Sequence, residues 1–155
     1  MSDIATGDIG SATPGRYGAG SAQLVLAETT IAAAWNVQGD ATQPLFVEEA
    51  QRRFAVALPI TPNTTMRSDA LTAFWLGPRS WLLVAGGPSS APGGLSDFAA
   101  KRDSLNAIGA ALFDLSASRV AYTLTGTHAA AMLASGCPLD LHPRVFPAGA
   151  CAQSV

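Results

Sequence analysis

Two apolar runs, Ala73-Phe-Trp-Leu76 and Trp81-Leu-Leu-Val-Ala85, flank the turn-rich segment Gly77-Pro-Arg-Ser80. Short apolar runs separated in this way fold as a β-hairpin, which commits the chain to an antiparallel sheet. The neighbouring segments fit around that hairpin. Ile31–Gln38 sets Trp35 and Val37 on one face and ends at Gly39-Asp40, the pattern of a strand. Residues 43–54 read as a helix with Pro44 in its first turn, Leu45, Val47, Ala50 and Phe54 as its apolar positions, and Glu48, Glu49, Arg52 and Arg53 toward water. Pro59 and Pro62 stop it in a loop rich in Thr and Asn. Leu95, Phe98, Leu105 and Ile108 recur at helical spacing around Lys101, Arg102 and Asp103. Residues 111–115 and 119–125 read as two more strands. Thr127 is placed to cap a third helix running to Ser135, where Gly136 and Pro138 end it.

The segment Trp35-Asn-Val-Gln-Gly39 echoes Tyr122-Thr-Leu-Thr-Gly126, an aromatic-x-aliphatic-x-Gly strand end followed by a helix. Counting on from each glycine reaches Leu45-Phe46 and Met132-Leu133, expected as the first core-facing positions of their helices. The echo describes two β-α-β-β units in one sheet, the second a degenerate copy. Five positions equally describe any two strand–Gly–helix junctions.

Charge narrows the function classes. Charged residues are 13% of the 155, against roughly 25% in ordinary soluble domains. Nine basic and eleven acidic residues leave a net charge of −2, with no basic stripe for nucleic acid and no polybasic patch for an anionic membrane. Either part of the surface is covered by other subunits, or the many alanines inflate the hydrophobic count. Residues 1–22 carry five glycines among Ser, Thr and Ala, so a flexible leader is expected there, followed by a single domain over 23–155. The acidic start offers no signal peptide, and two cysteines build no disulfide framework. The expectation is a soluble, cytoplasmic protein.

Individual sites weigh little. The loop Gly86–Gly94 joins strand to helix but lacks phosphate-loop spacing and a lysine, so it reads as a connector. Cys137, Asp140 and His142 bring thiol, carboxylate and imidazole close in sequence, yet neighbours in an extended stretch point to different faces. His128, Cys137, His142 and Cys151 are nominal zinc ligands without a familiar spacing. Glu48 and Glu49 read as helix-surface partners of Arg52 and Arg53. No catalytic, cofactor-binding or metal residue is assigned. Pro143 and Pro147 bracket Arg144-Val-Phe146, and Asp140 can hold the turn before them. The segment therefore offers Asp140, His142, Arg144 and Phe146 as a candidate subunit interface. The alternative places Phe146 in this chain's own core.

The run from Gly136-Cys-Pro-Leu-Asp-Leu-His-Pro-Arg-Val-Phe-Pro to Gln153 closely resembles the signature segment of the gamma subunit of heterotetrameric sarcosine oxidase. Upstream, Trp75-Leu-Gly-Pro-Arg-Ser-Trp-Leu-Leu-Val84, Phe113-Asp-Leu-Ser116 with Arg119-Val120, and Leu124-x-Gly126 resemble further blocks of that family in the same order, so the likeness covers roughly residues 31–155. The resemblance implies an α+β fold of ferredoxin-like β-α-β-β units like the aminomethyltransferase folate-binding domain, C-terminally incomplete, because family members continue past the Ala-Gln segment with two further strands and a helix whose absence leaves an open sheet edge. It also implies a structural role without catalytic residues. The enzyme demethylates sarcosine oxidatively to glycine, forming hydrogen peroxide and methylene-tetrahydrofolate. The alpha, beta and delta subunits are then the partners, and they hold FAD, FMN, NAD, tetrahydrofolate and zinc. The competing expectation is a stand-alone folate-binding or aminomethyltransferase-like protein, with Asp40 and Asp114, both at strand ends, as the only carriers of acid chemistry. Turn and cap roles compete for both.

Overall fold

The computed structural model describes residues 15–17, 23–86 and 97–154. In order these form β1 (Arg16–Tyr17), β2 (Val25–Thr29), β3 (Ile31–Gln38), α1 (Pro44–Phe54), β4 (Thr65–Arg67), β5 (Thr72–Gly77) and β6 (Ser80–Gly86), then α2 (Phe98–Asn106), β7 (Ala111–Asp114), β8 (Ala121–Thr125) and α3 (Ala129–Ala134). Two sheets result, β4-β5-β6-β3-β7 and β1-β2-β8, and their pairings are antiparallel. The fold is α+β, as expected. Residues 1–14 and 18–22 of the expected leader lie outside the described residues, while Arg16 and Tyr17 pair with Ala27 and Leu26. Residues 87–94 of the glycine-rich connector also lie outside them.

The core belongs to the five-stranded sheet. On β3, Trp35 and Val37 are buried as the alternation predicts, and Ala34 and Asn36 on the other face are buried too. Asn36 is satisfied there, donating to Ser80 Oγ (2.9 Å) and the Trp81 carbonyl (3.0 Å) and accepting from Gln38 (2.7 Å). Trp81 lies against Phe46, with ring centroids 5.6 Å apart, and its indole N–H donates to the Pro59 carbonyl at 2.8 Å. Trp35 sits between Phe54 and Phe98.

The helix starting at Pro44 is present, but its buried stripe is Phe46, Ala50 and Phe54. Leu45 and Val47, expected inward, are exposed. The stripe repeats every fourth residue, and including Leu45 and Val47 gives an apolar arc wider than the single core contact needs. Glu49 turns out not to be a surface group. Its carboxylate accepts from Arg52, from Arg53 and from the Ser104 hydroxyl of α2, tying the two helices together. Lys101 is buried: Nζ lies 2.9 Å from Asp97 and 5.9 Å from the Trp35 ring centroid, so its stem packs while its charge is met.

From Phe113 to Ser154 no residue is fully buried, nor is any in β2. Val120, Tyr122, Met132, Leu133 and Val145 are exposed there, so Met132 and Leu133 are not core positions. β3 and β8, the two echoing strand ends, lie in different sheets rather than one. Their glycines serve different needs. A Cβ on Gly39 would strike the Phe46 ring, whereas Gly126 has φ +111° and its Cβ would strike the Gln23 carbonyl. The third helix starts at Ala129, and no side chain caps it, Thr127 included.

Candidate functional site

The segment after α3 folds back on the five-stranded sheet. Gly149 carbonyl accepts from the Thr65 N–H at 2.9 Å and from its hydroxyl at 3.0 Å, and the Cys151 N–H donates to the Asn63 carbonyl at 2.8 Å. Thr64 and Ala150 form an antiparallel bridge. The tail thus lies along the outer edge of β4. Between the two sits a cavity of about 490 Å³, lined by Pro62, Asn63, Leu139, Val145, Phe146 and Cys151 among others. Its walls are largely apolar, with Asp140 as the carboxylate at its margin.

The candidate interface residues form one braced turn. Asp140 Oδ1 accepts the His142 N–H at 2.9 Å, the turn-holding role read from the sequence. His142 Nδ1 accepts the Arg144 N–H at 3.2 Å, and the His142 carbonyl accepts from Val145 and Phe146, each at 2.8 Å. His142 is therefore bent back onto its own turn. Arg144 is exposed, Val145 is exposed at the cavity's margin, and Phe146 is half-buried in the cavity wall. Its position divides the two sequence expectations: the ring leans on its own chain without entering the core.

The competing chemistry does not assemble. Among the described residues, no three of His, Cys, Asp and Glu come together as a metal cluster would require. Cys151 is half-buried and donates toward the Thr64 carbonyl (3.3 Å) and the Trp75 carbonyl (3.5 Å), and burial pushes its thiol pKa up, away from nucleophilic thiolate. Asp40 accepts from the Thr42 N–H (3.0 Å) and hydroxyl (2.7 Å), and these bonds hold its carboxyl below the usual range. Asp114 accepts from the Ser116 N–H (2.9 Å) and hydroxyl (2.6 Å). Both acids serve local turns. Sequence reading missed the tail's attachment to β4, because backbone hydrogen bonds between distant segments leave no residue-type signal.

Comparison with known proteins adds three findings. The family model described as "Sarcosine oxidase, gamma subunit family" matches residues 38–155. Among solved structures, a chain of the heterotetrameric sarcosine oxidase from Corynebacterium sp. U-96, in complex with pyrrole 2-carboxylate, is similar with a TM-score of 0.64 and 25% identity. The match covers 78% of this chain and 59% of that one, so this chain spans less than two thirds of the solved chain's length. No protein of curated function matches.

Proposed function

We propose that this chain, which belongs to the sarcosine oxidase gamma subunit family, is a non-catalytic subunit that assembles with the alpha, beta and delta chains of a heterotetrameric sarcosine oxidase. In this reading the other subunits hold FAD, FMN, NAD, tetrahydrofolate and zinc and oxidatively demethylate sarcosine to glycine. The products are hydrogen peroxide and methylene-tetrahydrofolate. The contribution of this chain is surface. The observation that carries the reading is the run from Phe113 to Ser154, which exposes Val120, Tyr122, Met132, Leu133 and Val145 and buries no side chain fully. A contiguous stretch without buried apolar residues gains stability by covering its exposed ones against a partner. The braced turn fits such a role, because Asp140 and His142 fix its backbone before docking and Arg144 stands ready as an anchor.

The test is co-expression with the partner subunits and co-purification of wild type against the double variant Arg144→Ala, Phe146→Ala. Association is expected to weaken about tenfold or more with unchanged circular dichroism, the range of a two-anchor loss at an interface. Unchanged association places the interface elsewhere, and collapse of the fold makes the turn scaffolding. Failure of the wild type to co-purify at all rejects the subunit reading.

A further inference from the structure

We draw no further inference here: the strongest candidate, the groove of about 260 Å³ between the start of α1 and the turn from α2 to β7, lined by Leu45, Phe46, Ile108 and Ala110 together with the Asp40–Arg79 ion pair, carries nothing, because nothing in the structure shows what covers it.

Discussion

Trp35 and Tyr122 occupy matching places on β3 and β8, yet the first is 1% exposed and the second 59%. The two strands carry the same aromatic-x-aliphatic-x-Gly pattern, and each pairs with a Leu-x-acid strand on one side. What differs is company. β3 has β6 on its other edge, α1 and α2 supply Phe54 and Phe98 against its tryptophan, and among the described residues β8 has neither. An apolar pattern therefore sets which face of a strand wants cover, whereas the number of neighbouring elements sets whether it gets cover.

The largest effect expected from this contrast is at Trp81. Trp81→Ala removes a side chain that fills the space against Phe46 and meets the Pro59 carbonyl, at a cost of about 3–5 kcal/mol. Tyr122→Ala in the three-stranded sheet is expected to cost within about 1 kcal/mol, the range for exposed sites. Urea unfolding followed by circular dichroism measures both, and equal costs would break the comparison. A smaller effect sharpens it. Gly126→Ala forces a Cβ at φ +111° against the Gln23 carbonyl, a strain of about 1–3 kcal/mol. Native-state hydrogen exchange is expected to show β2 and β8 losing protection while β3 and β6 keep theirs. Simultaneous loss in both sheets would mean that they unfold as one unit.

The smallest expected effect is ionic and confined to the five-stranded half. The Ser104 hydroxyl first, then Arg53 and Arg52, hold the Glu49 carboxyl down from the ordinary 4.5 to about 2. A carboxyl depressed in the folded state adds stability that is complete above pH 4.5 and fades as the pH falls toward 2. Glu49→Gln is expected to flatten that part of the melting-temperature profile and to leave it unchanged near neutrality in shape. An unaltered acid limb would show that the link between α1 and α2 contributes nothing.

The strand Ile31–Gln38 and the hairpin around Pro78-Arg79 were legible because alternation and turn chemistry are local. The side of α1 that turns inward was not, because Leu45 and Val47 are as apolar as Phe46 and only packing against Trp81 chooses among them. β2 and β4 escaped for a related reason. Val25–Thr29 has no clear alternation and is made a strand by the distant β8, while Thr65–Arg67 is three residues inside a Thr-rich loop, made a strand by its neighbour β5. At the candidate turn, the role of Asp140 is an Asx pattern readable from spacing, whereas the seating of Phe146 depends on residues 62–64.

The bond from Thr65 to Gly149 spans 84 residues. During synthesis, β4 emerges first and the tail that lies along its edge follows about 4–17 seconds later at ordinary elongation rates. For that interval the hairpin β5–β6 and its outer neighbour wait with a bare margin on a nascent chain. Only three residues long and carrying Arg67, β4 is a poor template for another chain during that wait.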